Sequence, residues 1–103
     1  MWHSSAAMGH TKPEMLADIA AELAAVRGLE GIKERSPGVF YYKSIAFLHF
    51  HDKNGKRWAD VKSPRGYREV AIEFQADARA RRKFVQSVTD AHALLSKETK
   101  AAR

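Results

Sequence analysis

Residues 46–62 read AFLHFHDKNGKRWADVK and determine how the middle of the chain folds. Apolar and polar side chains alternate on both sides of Asn54-Gly55, a dipeptide typical of a two-residue type I′ turn. This pattern predicts an antiparallel hairpin with one apolar face, because successive side chains of a strand point to opposite faces. A bulged turn at Gly55 is the alternative. It would shift the pairing by one residue and put Asp60 and Lys62 on the apolar face, so we expect the two-residue turn.

The predicted register gathers a second set of side chains on the other face of the hairpin. Phe47, His49 and His51 share this face in the first strand, and Trp58 and Asp60 share it in the second. Asp60 is expected opposite His49. Trp58 is expected opposite His51. A face this rich in aromatic rings predicts a ligand-binding surface or an interface, and a homodimer is the simplest interface.

The pair His49-x-His51 can direct both imidazoles to one point, and Asp60 can add a carboxylate. Two histidines and one carboxylate form a ligand set for a divalent metal and leave positions for water. His49 held by Asp60 could instead act as a general base. The alternative without chemistry is a partly exposed hairpin face. In that interpretation His49 hydrogen-bonds Asp60, and His51 packs on Trp58.

Two segments have the apolar periodicity of helices. The first, residues 11–28, has capping-box spacing between Thr11 and Glu14 and a natural stop at Gly28. The second, residues 77–99, carries an apolar stripe at helical spacing. We expect both stripes to face the core. The stripe of the second helix consists of Phe84, Val88, Ala91 and Leu95.

Further strands are expected at residues 39–43 and 67–74, which flank the hairpin, and the stretch SPRG at residues 63–66 is expected to be a loop. The order α-β-β-β-β-α predicts a single α+β domain, with a four-stranded, mainly antiparallel sheet and helices on one face. We expect residues 1–11 to be a disordered leader, residues 12–96 to be the domain, and residues 97–103 to be a frayed tail.

The chain has 103 residues, no cysteine and a formal net charge of +6. The lack of cysteine excludes disulfides, thiolate metal sites and cysteine nucleophiles. Most of the basic side chains follow residue 34, and such an excess points to a polyanionic partner, namely nucleic acid, an acidic protein or a phosphorylated metabolite. The alternative is a solvated basic face. The candidate phosphate-binding residues are Arg65, Arg68, Arg79, Arg81, Arg82 and Lys83.

No apolar run approaches the roughly 20 residues of a membrane-spanning helix. The N-terminus also lacks the apolar core of a secretory signal. We therefore expect a cytoplasmic protein without a membrane partner.

Three short motifs follow one another in the chain: PGV at residues 37–39, HFH at residues 49–51 and ADV at residues 59–61. Their order resembles that of small bacterial proteins with a luciferase-type domain of unknown function. A further strand and a closing helix follow in both, so the resemblance covers residues 29–95 and implies a shared fold. Lys-Ser stands at residues 62–63, where that family has Pro-Phe.

These observations favour a small binding protein over an enzyme, acting as a homodimer through the aromatic and histidine face of the hairpin. A metal- or histidine-assisted enzyme at His49, His51 and Asp60 is the first alternative. Nucleic-acid binding through the basic residues is the second. A divalent metal is the only cofactor that the sequence suggests.

Overall fold

The computed structural model describes residues 11–101 and shows an α+β architecture. A 3₁₀ segment, Pro13–Ile19, leads into helix α1; five strands follow, and helix α2 closes the chain. The predicted leader, apart from Thr11, lies outside the described residues. The bounds are α1 Ala20–Arg27, β1 Ile32–Ser36, β2 Val39–Tyr42, β3 Ile45–Lys53, β4 Lys56–Ser63, β5 Gly66–Ala71 and α2 Ala78–Ala101.

The sheet is a meander in which each strand pairs with the preceding one, in the order β1-β2-β3-β4-β5 and antiparallel throughout. The predicted α+β fold with an antiparallel sheet is confirmed, but the sheet has five strands rather than four. The additional strand is β1, in which only Ile32 is buried. Its other residues are charged or polar, so no apolar alternation marks it as a strand. Charged edge strands of this kind also resist pairing with other chains.

The hairpin of β3 and β4 has the predicted two-residue turn. Asn54 and Gly55 have φ values of 54° and 79°, as a type I′ turn requires, and the flanking Lys53 pairs with Lys56. The shifted, bulged alternative is therefore excluded. The pairs that follow are Phe50–Ala59, His51–Trp58, His49–Asp60 and Leu48–Val61.

Strand β3 contains an irregularity at Phe47, where the register with β2 shifts by one residue. Simple alternation would put Phe47 on the face of His49. The bulge turns it the other way, because an extra residue reverses the alternation that precedes it. Phe47 is fully buried, and its ring lies 6.1 Å from the ring of His92 in α2. The structure thus corrects the expectation that Phe47 belongs to the histidine face.

Both helices and the 3₁₀ segment form one apolar core with the sheet. The ring of Phe50 in β3 lies 5.8 Å from that of Phe84 in α2. The predicted stripe of α2 is buried throughout. Helix α2 continues to Ala101, so residues 97–101 of the expected tail are helical. Within residues 11–101, no helix combines the length and the apolar character needed to cross a membrane.

The N-terminal helical region begins differently from the prediction. Lys12 is the N-cap residue and no side chain caps the 3₁₀ segment, so the expected capping box of Thr11 and Glu14 does not form. Instead, the backbone N–H of Thr11 donates to the carbonyl of Phe50, at 3.3 Å. The chain thus enters the domain beside β3, where β2 no longer pairs with it. The predicted stop of α1 at Gly28 is confirmed.

Strand β4 carries an arginine, Arg57, that is only 1 % exposed. Its guanidinium donates to both carboxylate oxygens of Asp18, at 2.7 and 2.9 Å. It also lies over the ring of Phe74, 4.5 Å from the centroid. All five N–H groups of the Arg57 guanidinium donate hydrogen bonds. These hydrogen bonds join the 3₁₀ segment to the connection between β5 and α2. The other three acceptors are the carbonyls of Met15, Ile72 and Glu73, each at 2.8 Å.

This arrangement predicts an acid sensitivity. The hydrogen bonds from Arg57 lower the pKa of Asp18 from 3.8 to about 2. A carboxylate with a depressed pKa stabilises the fold above its unfolded pKa, and that contribution disappears as the pH falls through the folded value. We expect Asp18 to contribute on the order of 1 kcal/mol at neutral pH, reduced by its partial exposure, and to lose it between about pH 4 and pH 2.

The measurement is urea unfolding of the natural chain and of Asp18→Asn at pH 7, 4 and 2. The difference in unfolding free energy between the two proteins should narrow as the pH falls. A difference that stays constant over this range would show that the Asp18 carboxylate is not stabilised by folding.

Candidate functional site

Three side chains converge on the sheet face that points away from the helices. His49 and His51 come from β3, and Asp60 comes from β4. The Nε2 atoms of the two histidines are 2.6 Å apart. The Oδ2 atom of Asp60 lies 3.0 Å from His51 Nε2 and 3.5 Å from His49 Nε2. The type I′ hairpin creates this cluster, because it sets His49 directly opposite Asp60.

The cluster presents three Lewis-basic atoms to one point. An imidazole nitrogen either carries a hydrogen or offers a lone pair, but not both. His51 Nε2 therefore cannot donate to Asp60 and also accept a hydrogen bond from His49. A cation between the three atoms would satisfy all of them together. Zinc–nitrogen bonds of about 2.0–2.1 Å in tetrahedral geometry would spread the two Nε2 atoms to roughly 3.3 Å.

Burial is uneven across the cluster. His49 is 0 % exposed and His51 is 7 % exposed, whereas the side chain of Asp60 is 25 % exposed. Access from solvent is therefore on the Asp60 side, towards β4 and β5. An ion held here would have the two imidazoles behind it and the carboxylate at the entrance.

Trp58 borders the cluster. Its ring lies 5.5 Å from that of His51 at an interplanar angle of 31°, so the indole supports one face of the imidazole. Close packing of this kind restricts the rotation of the imidazole. Of the five residues predicted for the sheet-face site, the structure brings together His49, His51, Trp58 and Asp60, and it places Phe47 in the core.

Tyr67 of β5 adds a further polar group to this face of the sheet. Its hydroxyl donates to the carbonyl of Ala46 at 2.7 Å, and so links β5 to β3 across β4. Burial, together with nearby Tyr41 and Asp60, raises the pKa of Tyr67, which therefore stays protonated at neutral pH. Lys62 lies over its ring, 5.3 Å from the centroid. The four-residue stretch SPRG forms a tight β4–β5 turn rather than the expected loop, and this turn sets Tyr67 opposite Lys62.

The predicted basic patch is divided. Arg65 lies in the turn that precedes β5, whereas the basic residues of α2 follow the other end of this strand. Arg81 is engaged internally, with its Nε 3.3 Å from Glu22 and its Nη1 donating to the carbonyl of Ala76. The remaining candidates are exposed: Arg68, Arg79, Arg82 and Lys83.

Comparisons with protein-family models, with curated proteins and with solved structures find no match to this chain. The resemblance to luciferase-type domains therefore stays a prediction from three short motifs. Any functional assignment has to come from the geometry of the described residues.

Proposed function

We propose that this chain binds a divalent transition-metal ion through His49, His51 and Asp60. The observation that carries the proposal is the convergence of their three ligand atoms, all within 4.8 Å of one another. The metal site, which was the first alternative in the sequence analysis, here replaces the aromatic binding face as the leading function. Phe47 faces the core, which removes much of the apolar surface expected for an interface. Homodimerisation and nucleic-acid binding stay predictions of the sequence alone.

The donor set restricts the kind of ion. Two imidazole nitrogens with a carboxylate oxygen suit zinc, iron, nickel or copper, whereas calcium and magnesium prefer sites built entirely from oxygen. Zinc is the natural first probe, and cobalt(II) is its spectroscopic substitute. Because the chain has no cysteine, imidazole is the side-chain ligand of this sequence that suits these ions best.

The test is calorimetric titration of zinc into the full chain. His3→Ala and His10→Ala are introduced first, so that the histidines of the N-terminal region cannot bind the ion. We expect one ion per chain. The further double change His49→Ala and His51→Ala should weaken binding by roughly 100-fold or more, because it removes both nitrogen ligands.

Two aspartates of the same hairpin provide a matched pair. Asp60→Asn should weaken zinc binding, because an amide is a poorer ligand than a carboxylate. Asp52→Asn removes an equal charge from β3, but Asp52 alternates onto the other face of the sheet and should leave the affinity unchanged. Zinc affinity that survives the double histidine change would refute the proposed function.

A further inference from the structure

Strand β5 places a second carboxylate beside the candidate metal site. Glu69 is the direct partner of Asp60 in the β4–β5 ladder. Side chains that face each other in this way lie on the same face of the sheet, with Cβ atoms about 4.5–5.5 Å apart. Two like charges in such a pair destabilise a sheet. A position that repels its neighbour needs a compensating group.

Asp60 lies beside the two imidazoles, whereas Glu69 has no basic partner of its own in the described part of the chain. Among residues 11–101, no lysine, arginine or histidine forms an ion pair with Glu69. The nearest cation on the same face of β4 is Lys62, and its ammonium lies over the ring of Tyr67. A divalent ion at the three-residue cluster would relieve the repulsion, because two carboxylates balance its charge.

Glu69 is also on the side where the site is accessible. Its side chain is exposed and free to change rotamer, and its carboxylate reaches about 3.5 Å beyond Cβ. In the structure its oxygens lie outside the group of converging ligand atoms. A rotation about its χ angles, rather than a movement of the backbone, would bring the carboxylate to the ion next to Asp60.

We infer that Glu69 is the fourth protein ligand of the metal, an inference that rests on the proposed function. Two nitrogen and two oxygen ligands fill the tetrahedral sphere of zinc. A closed sphere holds an ion without offering a position to water or substrate, whereas three protein ligands leave such a position open. Glu69 therefore makes this a metal-holding site rather than a hydrolytic one.

The test compares Glu69→Gln with Glu73→Gln in the full chain that carries His3→Ala and His10→Ala. Glu73 is an exposed glutamate just beyond β5, and only its backbone carbonyl bonds to Arg57. We expect Glu69→Gln to weaken cobalt(II) binding by roughly 10- to 100-fold and to reduce the strong visible absorption of tetrahedral cobalt. Glu73→Gln should change neither, and far-UV circular dichroism verifies that both variants are folded.

Each outcome has a definite meaning. Unchanged affinity and an unchanged cobalt spectrum in Glu69→Gln would overturn the role of Glu69, and the loss of binding on removal of His49 and His51 would still uphold the three-residue site. Equal weakening by both glutamine changes would also overturn it, since it would reflect only general charge. If the parent chain binds no ion, the proposed function fails with it.

Discussion

Replacing Arg57 with methionine is expected to lower the free energy of unfolding by about 3–5 kcal/mol, in the range found when one partner of a buried ion pair is removed. Methionine fills similar space but donates no hydrogen bond. The change removes the guanidinium donor from the carboxylate of Asp18 and from three backbone carbonyls. Asp18 keeps only the N–H of Gln75, and the carbonyl of Glu73 keeps only the N–H of Ala76. Each buried acceptor that loses its partner costs about 1–3 kcal/mol.

Urea unfolding followed by circular dichroism measures this loss. Arg68→Met is the matched control, because Arg68 is an exposed arginine on the neighbouring strand and should shift the unfolding free energy by no more than about 0.5 kcal/mol. Asp18→Asn should have an intermediate effect, because the amide oxygen still accepts one hydrogen bond. If Arg57→Met and Arg68→Met lower the free energy of unfolding by similarly small amounts, the buried guanidinium does not have the central role assigned to it.

Replacing Gly38 with alanine is expected to destabilise the fold by about 2–4 kcal/mol, through backbone strain and overpacking together. Gly38 has a φ of 77°, which residues with a Cβ rarely adopt. A Cβ built there would lie 2.6 Å from Leu16 Cδ1 and 3.3 Å from the ring of Phe50. Both neighbours are buried in the core.

Gly55 separates the two causes. It has a φ of 79°, nearly that of Gly38, but a Cβ there would meet no atom within 4 Å. Gly55→Ala should therefore cost only the backbone strain, about 1 kcal/mol. The larger loss for Gly38→Ala, measured by thermal and urea unfolding, then reports the contact with Leu16. Equal losses at the two glycines would mean that the core yields to the added methyl group without cost.

The sequence predicted those parts of the site that depend on residues close together in the chain. The Asn54-Gly55 turn sets the pairing of its two flanking strands, so His49 could be placed opposite Asp60 from the sequence alone. Phe47 was misplaced because its bulge depends on pairing with β2, a strand outside the hairpin. Alternation within one strand carries no information about such a partner.

Other features could not be predicted from the sequence, because their partners are distant in the chain or their composition is unusual. Asp18 and Arg57 are 39 residues apart, and an arginine beside a turn is normally exposed. Strand β1 pairs with β2 through its backbone and buries only Ile32, so it has no apolar pattern. The position of Glu69 opposite Asp60 required the turn at residues 64–65, which the Pro and Gly of SPRG had suggested to be a loop.

The meander topology also bears on the order in which the protein assembles. Its strands pair only with their neighbours in sequence, and such contacts close short loops at a small entropic cost. The candidate ligands lie between residues 49 and 69, on three consecutive strands. We therefore expect strands β3, β4 and β5 to pair before α1 and α2 dock. The contact between Asp18 and Arg57 joins distant segments and would complete the folded chain.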